Sequence, residues 1–356
     1  MSLATLSTTA LILHIQSCHL LAQRRVGIQN DESTDNRQRK DAKPRQQTLP
    51  ATWLIALCGI TTACILLATP LVYHSDNILN HCGLRALCFF YACKTLDLTL
   101  TRARDPPIKL SSATPDGGIR QPVPMQTTTD QWRYTWGLMT EMRYFSFDIA
   151  VDQRQREKVN KDSWTTATAY TLVLGLVLTS LVYILPIPHA KVMLLLFVIQ
   201  IALETVHTLL HPHCPHALFY RPWAASSIGE FWSTHWQGCA TPFLHSLAFR
   251  PAKRAVIPLM GKAGGDAVGV LAAFCLSGVW HGWAGAPLAS TPWFGFQIWV
   301  VFMAMGIGCL LERWIWGARQ GGTVQRVMVW VYVVSVAGWC WTSLEKHSRI
   351  AWLRGS

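Results

Sequence analysis

The sequence predicts an all-α, polytopic membrane helix bundle of about seven or eight spans, and three observations carry that prediction. Hydrophobic residues make up 51% of the 356 positions and charged residues only 14%, whereas soluble domains carry about a quarter charged. The apolar residues gather into runs of about 20, the length that crosses ~30 Å of hydrocarbon at a rise of ~1.5 Å per residue. Tryptophan occurs 17 times, often at the edges of those runs, as at Trp164, Trp293, Trp314, Trp316 and Trp341, where an amphipathic ring favours the membrane interface. Backbone polar groups cannot stay open in lipid, so spans of this composition are helical.

Taken in order, the run Ala4–Ala22 lacks a basic leader and is followed by Arg24 and Arg25, so it reads as an uncleaved anchor. His14, Gln16 and His19 interrupt it. The polar, basic residues 24–49 read as a disordered loop. Ala51–Tyr73 is a clear span, while Ile78–Leu98 holds Arg85 and Lys94 and reads as amphipathic or packed against protein. Residues 99–161 form the longest polar stretch. Its aromatic section, Trp132 to Trp136 and Tyr144 to Phe147, suits the membrane surface. Ser163–Pro186, Ala190–Leu210, Val268–Trp283 with its upstream lead-in, Thr291–Trp316 and Val324–Ser343 complete the spans. Residues 226–245 are too polar to span and too aromatic for an ordinary loop, so a re-entrant or interfacial segment is expected there. The chain thus divides into an anchor with a basic loop (1–50), spans with a polar loop (51–130) and a core (131–345).

The formal charge is +12, but the basic residues sit between apolar runs rather than on one face. That pattern fits cytosolic loops and anionic headgroups and argues against nucleic acid. An excess of positive charge on the cytosolic side puts loops 24–49, 99–161, 211–255 and 317–326 there. The tail with Lys346, Arg349 and Arg354 fits this less well. The 11 cysteines form no CxxC pair and no regular framework, which argues against a disulfide scaffold and a zinc site of paired cysteines; free cysteines packing as small hydrophobes are expected.

His281 is the first candidate for chemistry. It stands in the run Val268 to Trp283, where an ionisable group is costly and reads as functional with a partner; a histidine near a helix end, reaching interfacial water beside Trp280 and Trp283, is the structural alternative. The segment Ser226 to Gln237 supplies Glu230, His235 and Gln237 as polar groups, with Phe231, Trp232 and Trp236 as a wall. Gly261-Lys-Ala-Gly-Gly-Asp266 precedes a membrane helix rather than following a strand. Close helix packing explains its small residues better than a nucleotide site does.

The order of these motifs, Glu230-Phe-Trp to Trp236 followed about forty residues later by Ser277-Gly-Val-Trp-His281, resembles the membrane-bound O-acyltransferase superfamily. It is most similar to the wax-synthase-like fungal branch that includes terpenoid and meroterpenoid O-acetyltransferases. That branch commonly reads FWGRRWHQ where this chain reads Phe231-Trp-Ser-Thr-His-Trp-Gln237. The basic pair is replaced by Thr234-His235, and the family histidine by Gln237. The resemblance covers residues 130–345 and makes residues 131–345 the acyltransferase core. It implies transfer of an acyl group, acetyl from acetyl-CoA in this branch, to a hydroxyl of a hydrophobic secondary metabolite, in the endoplasmic reticulum membrane. Acyl-CoA is then a co-substrate, with no bound cofactor and no metal. His281 is the implied general base, since an imidazole near neutrality can take a hydroxyl proton. Gln237 or His235 would orient the donor or stabilise the oxyanion, and Glu230, Phe231, Trp232, Trp236, Ser277 and Trp280 would bind substrate. Arg221, Arg250, Lys253 and Arg254 are candidates for attracting the polyanionic CoA.

Three other functions compete. A long-chain-alcohol wax synthase would use the same residues. A membrane di-iron oxygenase would use the cluster His207, His211, His213 and His216, but the chain lacks the further histidine boxes that two irons need; Glu204 reads as a polar helix contact. A transporter would show paired broken helices or internal symmetry, and neither is visible.

Overall fold

The computed structural model describes residues 3–37, 50–73, 76–111, 121–149, 187–210, 218–219, 224–236, 238–291, 293–317 and 322–349, with 173, 176–177 and 180–181 besides. Among them the regular structure is helical and strands are absent, apart from isolated bridges such as Lys109 with Phe147. Two units divide the chain. One holds Met1–Tyr73 and Cys88–Val151, the other His74–Leu87 and Asp152–Ser356.

The first unit is built on α1 (Leu3–Arg37), α2 (Thr52–Val72), the second half of α3 (Ile78–Leu96) with its π-turn Asp97–Thr101, and α4 (Thr128–Thr140). Helix α1 does not stop at Ala22, so residues 24–37 are helix rather than the loop expected, and 38–49 lie outside the described residues. The reason is packing. Leu21 and Ala22 are buried in the unit's core, Val26 packs against it, and Gln29 accepts a hydrogen bond from the Met125 amide. Arg25, also buried, faces Asp105. Lys94 is buried as well, donating to the Met139 and Glu141 carbonyls at 3.1 and 2.7 Å and lying 4.7 Å from the centre of the Tyr144 ring. The expectation that Ile78–Leu98 packs against protein therefore holds at this residue. Helix α4 can start inside a polar stretch because Thr127 and Asp130 form a reciprocal capping box, which satisfies two amides that would otherwise lack partners. Its aromatic section is not a membrane-surface strip throughout. Tyr134, Tyr144 and Phe147 are core residues, and only Trp132 and Trp136 are exposed.

The second unit contains α5 (Pro188–Leu210), the broken segment Ile228–Glu230 and Phe231–His235, a helical hairpin, α7 (Phe294–Trp316) and α8 (Thr323–His347). The hairpin starts with the turns Thr241–Phe243 and Leu244–Phe249 and continues into α6 (Arg250–Gly285), which is not straight: Gly261 has φ 68° and ψ −175°. Left-handed backbone of this kind favours glycine. The chain reverses there, since a Cβ added to Gly269 would lie 2.9 Å from the Phe249 ring and one on Gly265 would meet Ile257 and the Lys253 carbonyl. In a straight helix positions 249 and 269 would be about 30 Å apart. Lys253 also pairs with Asp266 across the hairpin. Gly265 and Gly269 thus serve the close packing expected of small residues here, whereas Gly261 makes the reversal with open space around it, and Thr241–Arg254 is a helical arm and not part of a loop 211–255.

Five stretches of the described residues are long and apolar enough to cross a membrane: Thr52–Val72, His189–Leu210, Thr241–Leu288, Phe294–Trp316 and Thr323–His347. The helices over Ala4–Ala22 and Ile78–Leu98 do not meet that measure, and most of Ser163–Pro186 lies outside the described residues. Trp293, Trp314 and Trp316 are exposed, but Trp341 is buried and donates to Glu345 at 2.9 Å, so it packs inside the unit. Among the described residues the ten cysteines form no disulfide.

Candidate active site

His281 stands in the last two turns of α6, four residues before Gly285. Its Nδ1 lies 2.8 Å from the Ser277 carbonyl oxygen and 3.4 Å from the Ser277 hydroxyl. A carbonyl can only accept, so Nδ1 carries the proton and the lone pair is left on Nε2. The ring is held in place from both sides. Phe302 of α7 stacks on it at 4.3 Å between centroids, and Trp280 lies at 4.5 Å in a tilted arrangement.

Glycines explain why α7 comes this close. A Cβ on Gly278 would lie 2.9 Å from Trp299 and 3.1 Å from Phe302, and one on Gly282 would lie 2.4 Å from the Gly295 carbonyl oxygen. The spacing of Gly278 and Gly282 puts both on one face of the helix, so the two backbones cross beside His281.

Between the broken segment and the two arms of the hairpin lies a cavity of about 270 Å³ lined by His281, Ser277, Trp280, Trp232 and Trp236, with Phe249, Phe274, Thr241, His245 and Cys309 among its other walls. Trp232 is braced by Phe274 and Phe302 at 5.9 and 5.8 Å. A second, more polar cavity of about 680 Å³ adjoins it, lined by Ser226, Ser227, Glu230, Thr234, Glu312, Arg313 and Gln325 among others. Gly229, Ser233, Val270 and Cys309 line both, so the two spaces meet there.

The wall between them is fixed by carboxylates. Glu230 accepts from the Ser226 amide and hydroxyl at 2.8 and 2.7 Å and faces His235 at 3.2 Å. Burial alone would raise the Glu230 carboxyl, but Ser226 and His235 outweigh it and hold it below the usual glutamate value. Glu312 of α7 accepts from the Ile228 amide at 2.7 Å, which ties the broken segment to the helix opposite.

Five of the residues expected from sequence therefore meet at one cavity: His281, Ser277, Trp280, Trp232 and Trp236. Glu230 lines the polar cavity instead. Phe231 is buried behind the wall, stacked on Trp236 at 5.4 Å, and the buried His235 sits behind it with Glu230. Gln237, Arg221, His211, His213 and His216 lie outside the described residues. Sequence reasoning missed His245, Phe302 and Glu312. Thr241, Leu244 and His245 recur at helical spacing on one wall, a periodicity that neither a re-entrant segment 226–245 nor a charge count over 211–255 resolves.

Among the described residues no group of three histidine, cysteine or acidic side chains converges as metal ligands would. Glu204 accepts from the Leu218 and Phe219 amides at 2.9 and 3.1 Å, the polar contact expected of it. No curated protein and no solved structure compared with the chain matches it. Residues 214–305, which carry His281 and most of the cavity wall, match the model of the membrane bound O-acyl transferase family, and the likeness supports acyl transfer from acyl-CoA within a membrane.

Proposed function

We propose that the protein is a membrane O-acyltransferase that moves an acyl group, acetyl from acetyl-CoA, to a hydroxyl of a hydrophobic secondary metabolite such as a terpenoid or meroterpenoid. The carrying observation is His281: its Nδ1 is engaged by Ser277, its Nε2 keeps the lone pair, and its ring lines an apolar cavity within the family match. In the reaction the acceptor oxygen attacks the thioester carbonyl carbon and its proton passes to Nε2. As the carbon–sulfur bond breaks, the imidazolium returns a proton to the leaving CoA thiolate. The apolar lining of the cavity also disfavours water and so limits hydrolysis of the thioester.

The polar cavity is the route by which the donor's headgroup reaches that point. Arg313 and the Ser and Thr hydroxyls offer donors to it, while the two carboxylates are already engaged by Ser226, His235 and backbone amides. Gln237, next to Trp236 in the chain, is the candidate for holding the oxyanion, since an amide donates a hydrogen bond without titrating. The setting for this chemistry is the endoplasmic reticulum membrane. Membranes containing the protein, incubated with radiolabelled acetyl-CoA and a panel of terpenoid alcohols, should yield a labelled ester that alkali releases. Absence of label from every alcohol, with hydrolysis of acetyl-CoA unchanged from control membranes, would reject the reading.

A further inference from the structure

His281 is close to a helix end, where the last carbonyls lack partners within the helix and the turn tends to fray. Two bonds from one turn of α3 bracket it. On its N-terminal side the Trp280 indole donates to the Ala86 carbonyl at 2.9 Å. On its C-terminal side Arg85 Nη1 donates to the Trp283 carbonyl at 3.1 Å, and the guanidinium carbon lies 5.3 Å from the centre of the Trp283 ring. Arg85 Nε donates in turn to His81 Nε2 at 3.0 Å, one turn earlier on its own helix. His81, Arg85 and Ala86 all belong to the His74–Leu87 part of the second unit. A cation at a helix C-terminus is favoured by the partial negative charge there. A guanidinium can bond two acceptors in its fixed fork and stack on an indole at once, which an ammonium cannot.

We propose that Arg85 is a positioning residue for His281, clamping the last turn of α6 by the Trp283 carbonyl and ring while the adjacent Ala86 carbonyl holds Trp280. Arg85 lies outside the 214–305 family match and does not line the cavity. It therefore acts through the backbone on either side of the histidine. Misplacing a reacting group by about 1 Å can cost as much as ~10²-fold in rate. Arg85→Met should therefore lower kcat by roughly 10- to 100-fold while the KM for either substrate stays close to wild type. Arg85→Lys keeps the charge without the fork and should fall between the two.

The kinetic half rests on the acyltransferase reading; the geometric half does not. Modification of His281 by diethyl pyrocarbonate, followed by mass spectrometry in native membranes, should be several-fold faster in Arg85→Met and intermediate in Arg85→Lys, because an unclamped turn opens more often. A wild-type protein that transfers no acyl group defeats the reading of function, and the modification rates still judge the clamp. Wild-type kcat together with wild-type modification in Arg85→Met overturns it. So does a defect confined to KM. If the methionine variant does not accumulate, a lysine variant equal to wild type in both measurements has the same force.

Discussion

At the scale of single residues, the site turns on which nitrogen of His281 is basic. The Ser277 carbonyl accepts a hydrogen bond from Nδ1–H, so the tautomer is set by the helix that carries the ring, and Nε2 can accept a proton without any rearrangement. His281→Ala removes that acceptor but leaves the glycine crossing beside it. The variant should insert and accumulate normally and lose ~10²–10⁴-fold in turnover, the usual contribution of a general base. Initial rates at matched protein amounts in membranes would check this, and turnover within a few-fold of wild type would sink the assignment. His281 was visible in the sequence because a polar group in an apolar run is conspicuous. Phe302, which stacks on it, was not. A phenylalanine in an apolar helix looks like any lipid-facing residue, and only the approach of α7 gives it a partner. His245 is hidden for a different reason: its wall belongs to a helical arm whose basic residues make it resemble a loop in a count of charges.

At the scale of elements, close backbone approach decides what the helices tolerate. Alanine is preferred to glycine inside a helix by about 1 kcal/mol, so a Gly→Ala change should stabilise wherever there is room. At Gly83 of α3 no atom lies within 4 Å of an added Cβ, and Gly83→Ala should raise thermal stability by about that much. At Gly282 the added carbon would lie 2.4 Å from the Gly295 carbonyl, a backbone atom that cannot rotate aside. Overpacking of this kind costs about 1–3 kcal/mol, so Gly282→Ala should lower stability and, by pushing α7 back, loosen the stacking on His281. Melting of the two variants in detergent would test the pair, and a stabilised Gly282→Ala would contradict the crossing. The broken segment adds a pH dependence. Because the folded carboxyl of Glu230 is held below its ordinary value, its contribution to stability is present above that value and lost as pH falls through the folded one. Wild type should therefore melt above Glu230→Gln near neutrality, and the gap should close as pH drops below 4.5. A gap that widens on acidification would mean that the carboxylate is not the group being stabilised. The sequence signalled a non-spanning, aromatic element here but not its carboxylate clamp, since Glu312 lies 84 positions from Ile228.

For the whole molecule, hydropathy was enough to recognise helices but not how they turn back. The charges of Arg250, Lys253 and Arg254 looked like a loop because a positive-inside count treats every basic residue as lying outside a span. Lys253 is instead paired with Asp266 across the hairpin, and the reversal depends on the backbone of one glycine, Gly261. That reversal brings the Thr241 to Phe249 arm against Val270, Ala273 and Phe274 and so creates the cavity, whose size bears on the donor. At about 270 Å³ it is less than twice the ~150 Å³ void that accepts a benzene ring. An acetyl group and the hydroxyl-bearing ring of an acceptor suit such a space. A long acyl chain would instead need a groove along its length, where burial would return ~0.8 kcal/mol per methylene. Acetyl-CoA and palmitoyl-CoA offered together to isolated membranes, with a polycyclic terpenoid alcohol as acceptor, should give the acetate as the main ester. The same mixture with a long-chain alcohol should give little wax. Widening the cavity with Phe274→Ala should then raise the share of longer acyl groups, because Phe274 lines the space and braces Trp232 without touching the Ser277 bond to His281. Palmitoyl transfer to long-chain alcohols by the wild-type protein would make it a wax synthase. The same proton would still pass through His281, and a longer groove would have to open from the cavity.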